Sequence, residues 1–275
     1  MKRLDIAGPW PAAPVYFKRK TTSTMEDARR LFLSGCLEGT VVLADFQDKG
    51  RGRLGDRVWT ADAGKNLLFT LVLRPEAGRI GEAVQRLPLV AGLALALTVE
   101  RLYGLSVQLK WPNDLLVDGK KLAGILCEAL SEGGSLGVLI GIGLNCNQAV
   151  FPPELEPKAT SLLRLLGREV ALGDTLRELL KALKAGLADE NWRAKVADRL
   201  WGLNREVCLY PPRVPAAPSG PVSVKRAARA ARPEGRRGVI RGLNPDGSLS
   251  FQPLGSSETR AVYSGEIRIA DGRDG

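Results

Sequence analysis

The sequence contains no histidine. That absence removes Ser-His and Cys-His nucleophilic mechanisms and most transition-metal chemistry in one step. Cysteine is scarce and scattered: Cys36, Cys127, Cys146 and Cys208 include no CxxC pair. Without imidazole partners they build no zinc or haem site, and they read as reduced, buried thiols. Long apolar runs are also missing. The stretch from Leu87 to Gly104 carries Glu100 and Arg101 and is too short in apolar residues to span a bilayer. The first residues hold charges and Pro9, Pro11 and Pro14 in place of the apolar core of a signal peptide. No membrane association and a cytoplasmic location are expected. No GxxxxGK[ST] loop is present, so a nucleotide would be held by another device. An enzyme built from what remains has to work with lysine, arginine, carboxylates and a hard cation.

What is present is ordinary in bulk and uneven in detail. With 275 residues, 44% apolar and 25% charged, the chain should hold a real core and about two domains. The net charge of +10 is concentrated: Arg213, Lys225, Arg226, Arg229, Arg232, Arg236, Arg237 and Arg241 face a single anion, Glu234. That segment, rich in Pro, Ala, Gly and Arg, reads as an insertion or linker at about 213–237. It makes a nucleic-acid-binding protein the rival from another class. It carries no interleaved aromatics for base stacking, so no specific DNA binding is expected.

The patterning predicts an α+β fold. TTSTMEDARRLFLSG (21–35) reads as a helix entered through a capping box, Ser23 with Glu26, and closed by Gly35. Strands are predicted at 40–46, 66–74, 106–111, 122–130 and 135–145, a buried helix at 84–103 and another helix from Asp174. After Trp201 short β-like runs follow, with Asp246-Gly247 as a hairpin turn. The expected division is a mixed-sheet domain, 1–200, and a small β-barrel domain, 201–275, that holds the Arg-rich insertion.

Three stretches carry chemistry. QDKGRGRLGDRVW (47–59) interleaves Lys49, Arg51, Arg53 and Arg57 with Gly50, Gly52 and Gly55; like charges so close repel, and an incoming polyanion would cancel the repulsion. KWPNDLLVDGKKLAGILCE (110–128) sets Lys110, Asp114 and Lys121 on both sides of one predicted hairpin. GIGLN (141–145) puts paired glycines in an apolar strand, a sign of close approach by backbone or ligand. Arginines on a glycine loop, two lysines and a carboxylate form a kit for joining two anions. Pressing a carboxylate against a triphosphate costs about 4 kcal/mol per charge pair at 4 Å and an effective dielectric near 20, which these cations with Mg²⁺ can offset.

Together these motifs resemble biotin protein ligases, which make biotinyl-5′-AMP from biotin and ATP and transfer biotin to a lysine of a biotin carboxyl carrier protein. The resemblance runs from about Thr21 to the C-terminus. It implies a catalytic domain akin to class II aminoacyl-tRNA synthetases followed by a Src-homology-3-like barrel. It assigns Ser23, Thr24, Gln47, Gly50, Arg51, Lys121, Gly124 and Gly141 to the biotin pocket. Arg53, Arg57, Trp59, Asn113, Gly143 and Asn145 go to ATP, and Lys121, Arg51, Lys110 and Asp114 to the reaction centre. Lys121 would contact both the biotin carboxylate and the α-phosphate. Asp114 would either help bind Mg²⁺ or receive the proton of the attacking lysine. The loop departs from the family pattern by one extra residue at Asp56-Arg57, and Met25 stands where many members carry Asn. Only about 20 residues precede Ser23, so the single-function form without a DNA-binding repressor domain is expected. The resemblance also implies a homodimer. A lipoate-type ligase, sharing the fold and the adenylate logic, is the nearest alternative.

Overall fold

A computed structural model describes residues 1–6, 8–53, 58–75, 80–132, 135–212 and 234–269. In chain order its elements are β1 (Lys2–Leu4), β2 (Val15–Thr21), α1 (Thr24–Leu33), β3 (Val41–Gln47), β4 (Leu67–Leu73), α2 (Ile80–Tyr103), β5 (Gln108–Lys110) and β6 (Asp114–Val117). Next come β7 (Lys120–Glu132), β8 (Ser135–Leu144), α3 (Leu162–Leu166), α4 (Leu172–Leu187) and α5 (Trp192–Ala197). The chain continues with β9 (Glu206–Tyr210), β10 (Arg236–Leu243), β11 (Leu249–Pro253), β12 (Arg260–Val262) and β13 (Glu266–Ile269).

Eight strands form one mixed sheet in the order β1-β2-β3-β4-β8-β7-β6-β5. Only β2 and β3 run parallel, because α1 carries the chain across between them; the other neighbours are antiparallel. The central strand β4, LLFTLVL, is buried along its whole length, as expected where helices cover both faces. Helix α2 packs on one face and α4 on α2, so that Phe69, Ile125 and Ile142 share a core with Leu93, Leu95, Leu179 and Leu183. On the other face α1 lays Met25, Ala28 and Phe32 against Val42, Val72 and Leu139. Those three helical positions recur at the spacing of one helix stripe.

The last five strands make an antiparallel sheet in the order β12-β11-β10-β9-β13. The turn between β10 and β11 is the predicted one: Gly247 takes φ +88° and donates its N–H to the Asn244 carbonyl at 3.0 Å. Residues Val207, Ile240, Phe251 and Ile267 of this sheet belong to the same apolar core as α2 and the large sheet. Among the described residues, no helix is long and apolar enough to cross a membrane.

Several expectations shift. The strand VYFKRKT ends where the first predicted element begins, at Thr21; Lys18, Arg19 and Lys20 interrupt its apolar residues. In the fold Lys18 stays in register with Ala44 of β3, and its ammonium reaches the buried Asp27 at 2.7 Å. Ser23 caps α1 as expected, accepting from Met25 N, but Glu26 turns away from the capping box to pair with Arg51. The helix expected from Asp174 starts two residues earlier and stops at Leu187. There Asp189 accepts the Asn191 N–H at 2.9 Å and the Lys195 ammonium at 2.7 Å, a local side-chain turn that competes with helix. Strand β5 is three residues long where six were expected. Of the Arg-rich insertion, 213–233 lies outside the described residues.

Candidate functional site

The site lies on the α1 face of the large sheet, where three glycines clear the surface. Register aligns Asp114 with Gly124 and Gly124 with Gly143 across β6, β7 and β8; one step along, Leu126 aligns with Gly141 and Gly141 with Thr70 of β4. Because side chains alternate faces, Phe69, Ile125 and Ile142 point into the α2 core and leave the glycine backbone open. The indole of Trp59 lies across that opening. A Cβ on Gly143 would stand 2.5 Å from Trp59 Cε2, and one on Gly124 would stand 2.9 Å from Cζ3. The remaining cavity is about 60 Å³, room for a few waters only.

Charge gathers at its rim. Lys121 Nζ lies 2.6 Å from Asp114 Oδ1, a close ion pair, and 5.5 Å from the centre of the Trp59 ring. Arg51 is held by two carboxylates, Glu26 and Glu128 at 3.4 Å, and Glu128 also meets Arg29 at 3.1 Å. Arg53 Nη2 donates to the carbonyl of Gly265, between β12 and β13, at 2.7 Å. Neutral polar groups complete the wall: Gln47 Oε1 accepts from Thr24 N at 2.7 Å and from Thr24 Oγ1 at 3.1 Å, beside Ser23. Asn113 ties the β5–β6 turn to β7, giving its Nδ2–H to the Ile125 carbonyl at 2.7 Å and taking the Ile125 N–H at 2.9 Å.

Of the sequence-predicted residues, Ser23, Thr24, Gln47, Arg51, Arg53, Trp59, Asn113, Lys121, Gly124, Gly141 and Gly143 line this one cleft. Asp114 stands behind Lys121. Gly50 serves the loop: a Cβ there would meet the Trp59 carbonyl at 2.6 Å, and Trp59 N–H closes on the Gly50 carbonyl at 2.9 Å. Lys110 Nζ sits 4.6 Å over the Trp201 ring, outside the cleft lining. Asn145 is buried and gives its Nδ2–H to the Thr160 carbonyl at 3.0 Å. Arg57 lies outside the described residues.

The sequence reading noted Met25 only as a departure from the family pattern and passed over Leu126, both of which line the cleft, as well as the two carboxylates on Arg51. Glu128 had a signal, since Gly124, Leu126 and Glu128 fall on one strand face at a period of two. Cys127, between them, is no candidate nucleophile: burial pushes its thiol far above the ordinary range, and the thiolate is the reactive form. Cys146 is pushed up to about 12 by burial; it alone of the four cysteines is fully buried, and Cys36, Cys127 and Cys208, expected buried, are half-buried. A larger hollow of about 560 Å³ under the N-terminal segment is lined by one consecutive stretch with Arg3 and Asp5 as its only charges. It gathers no comparable chemistry.

Comparison with known proteins agrees with the geometry. Residues 16–145 match the Biotin/lipoate A/B protein ligase family. A Paracoccus denitrificans protein, "Biotin--[acetyl-CoA-carboxylase] ligase", is 35% identical over 90% of this chain and 97% of its own length. The Bacillus subtilis "Bifunctional ligase/repressor BirA" is 38% identical over 58% of this chain; the match spans only 49% of that longer protein. Among solved structures, "Biotin protein ligase from Aquifex aeolicus in complex with biotin and ATP" aligns with a TM-score of 0.71 at 28% identity, covering 92% of this chain and 97% of the other. With its glycine-floored cleft and its near full-length match to the Paracoccus protein, the chain belongs to the biotin/lipoate A/B protein ligase family.

Proposed function

We propose that the protein is a biotin protein ligase that activates biotin with MgATP and passes it to a lysine of a biotin carboxyl carrier protein. The observation that carries this reading is the composition of one cleft. Neutral amide and hydroxyl groups (Gln47, Thr24, Ser23) share a wall with Met25 and Leu126, and cations (Lys121, Arg51, Arg53) stand at the rim. That combination suits an acid with a neutral hydrogen-bonding head, an apolar body and a carboxylate to be set against phosphate. Lipoate has no N–H or C=O on its ring to engage Gln47 and Thr24, which favours biotin within the family.

In the first step a biotin carboxylate oxygen attacks the α-phosphorus of ATP and the bond to pyrophosphate breaks. Lys121 bridges carboxylate and α-phosphate, and Arg51, Arg53 and Arg57 neutralise phosphate charge, so the chain's contribution is positioning and electrostatics. In the second step the carrier lysine attacks the acyl carbon, the bond to AMP breaks, and Asp114 takes the amine proton. Mg²⁺ would arrive with the nucleotide and supply charge neutralisation of its phosphates. Asp114 would offer it an oxygen, while the other described carboxylates at the rim, Glu26 and Glu128, hold Arg51; Mg²⁺ held by substrate phosphates needs no more than one or two carboxylates. Trp59, Asn113, Gly143 and Asn145 belong to the adenosine side, and Lys110 supports the centre from the β5–β6 hairpin.

A cavity of about 60 Å³ is far below the roughly 300 Å³ or more that ligands of this size occupy. Trp59 therefore moves aside on binding and closes again, keeping water from the mixed anhydride. The same reading divides the chain into a catalytic unit akin to class II aminoacyl-tRNA synthetases, 1–200, and a C-terminal unit, 201–275, with its five-stranded sheet as an open Src-homology-3-like barrel. It places the protein in the cytoplasm as a homodimer.

The test is incubation with MgATP and biotin, with lipoate in parallel, reading the acyl-adenylate by mass spectrometry. Biotinyl-5′-AMP should form, and Lys121→Ala and Arg51→Ala should each slow it by about two to three orders of magnitude. A folded protein that makes no adenylate from biotin would refute the reading; adenylate from lipoate alone would move it to the other branch of the family.

A further inference from the structure

Strand β4 runs LLFTLVL, and its one polar residue, Thr70, is fully buried. A buried hydroxyl needs a partner, and Thr70 Oγ1 finds Thr24 Oγ1 at 2.9 Å. The direction of every proton in this chain of contacts is forced. The Thr24 backbone N–H lies 2.7 Å from one terminal atom of the Gln47 side chain. An N–H must face an acceptor, so that atom is the carbonyl oxygen and the amide nitrogen takes the other side. The Thr24 hydroxyl, 3.1 Å from the same oxygen, must then donate its single proton to it. Thr70 is left to donate to Thr24. Gln47 Nε2 consequently points towards Gly50, where a Cβ would meet it at 3.3 Å.

We propose that Thr70, which lines no part of the cleft, is a positioning residue for recognition of the acid substrate. Gln47 Oε1 takes the Thr24 proton, and Thr70, by donating to Thr24, occupies one of its two lone pairs and so orders the one that remains, while Gln47 offers only N–H groups. The wall therefore presents an acceptor beside a donor, and selects a ligand head whose own N–H and C=O stand side by side, as in a cyclic urea or lactam. Thr70 sits beneath this pair and touches neither the nucleotide side nor the lysine–carboxylate pair. Its influence falls on acid binding and leaves the chemical step alone. The inference rests on the ligase reading above and deepens it by adding a residue outside the cleft that orders recognition of the acid.

The experiment compares wild type with Thr70→Val, which keeps the shape and removes the hydroxyl, and Thr70→Ser, which restores it. Thr70→Ala stands in for the valine variant should the latter not fold. Steady-state adenylate formation is measured with biotin and MgATP varied in turn, alongside thermal unfolding. Loss of one ordering hydrogen bond predicts a rise in KM for biotin of about five- to tenfold in the valine or alanine variant, with kcat and the KM for ATP unchanged. The serine variant stays within about twofold of wild type. An unchanged KM for biotin, an equal fall in kcat, or a serine variant as impaired as valine would overturn the proposal. Failure of the wild type itself to make the adenylate would overturn the ligase reading and this inference with it; an active wild type with an indifferent Thr70 would overturn only the inference.

Discussion

Gly141 and Gly143 are two residues apart on β8, about 7 Å along the strand, and they meet neighbours of opposite stiffness. A Cβ at Gly143 would press on the Trp59 ring at 2.5 and 2.7 Å, whereas one at Gly141 would meet the Met25 thioether at 2.7 Å. An indole cannot bend, and its removal from the glycine floor is the only relief. A methionine sulfur swings aside through soft torsions. Gly143→Ala should therefore cost about 1–3 kcal/mol of stability, the usual range for overpacking, and shift the Trp59 fluorescence. Gly141→Ala should cost less than about 1 kcal/mol, because relief is easy and the unfolded chain loses entropy. Urea denaturation of both, with Trp59→Phe as the spectral reference, checks the contrast. Equal costs would mean that Trp59 does not rest on Gly143 in solution.

At the scale of elements, what the sequence made legible follows from how local the cause is. Ser23 at the head of α1, the apolar run that became α2 and the Asp246-Gly247 turn are each decided by a few adjacent residues, and each stands where expected. The turn also carries a pH dependence. Asp246 accepts from the Ser248 hydroxyl at 2.6 Å and from its N–H at 2.9 Å, and these bonds, the hydroxyl first, hold its carboxyl below the ordinary value. Its stabilising effect is complete above the unfolded-state value of about 4 and fades as the pH falls through the lower folded value. In thermal melts, Asp246→Asn should lie below wild type at neutral pH and converge with it on acidification. A constant gap would show that the carboxylate charge contributes nothing. What was not legible depended on distant partners. Glu26 matched a capping box by spacing, yet the side chain was drawn to Arg51, a residue its local window does not contain. VYFKRKT hid a strand because the partner of Lys18, Asp27, arrives only when α1 folds back. Trp201, ninety-one positions beyond Lys110, sits under its ammonium, a contact that no local window contains.

The whole molecule is joined through the site as well as through the core. Trp111, inside the KWPND motif and buried, donates its Nε1–H to the Gly247 carbonyl at 3.2 Å. Arg53 reaches from the cleft to the Gly265 carbonyl at 2.7 Å. Two backbone oxygens of the C-terminal sheet thus fix the orientation of two motif residues of the large sheet. Gly265 holds a φ of +155°, and a Cβ there would strike Leu209 Cδ1 at 2.8 Å and the Tyr210 carbonyl at 2.9 Å. Gly265→Ala should therefore displace the carbonyl and break its bond to Arg53. If Arg53 serves the phosphates as proposed, the KM for ATP should rise about three- to tenfold, the loss of one charge-assisted hydrogen bond, while the KM for biotin holds. A general loosening of the C-terminal sheet would raise the same number, so the decisive comparison is a double-mutant cycle. If the effect travels through this one bond, Gly265→Ala adds nothing in an Arg53→Ala background, and the coupling equals the whole single-mutant effect. Additive losses would instead assign Gly265 to the stability of the sheet alone and leave Arg53 to be oriented by the phosphates it meets.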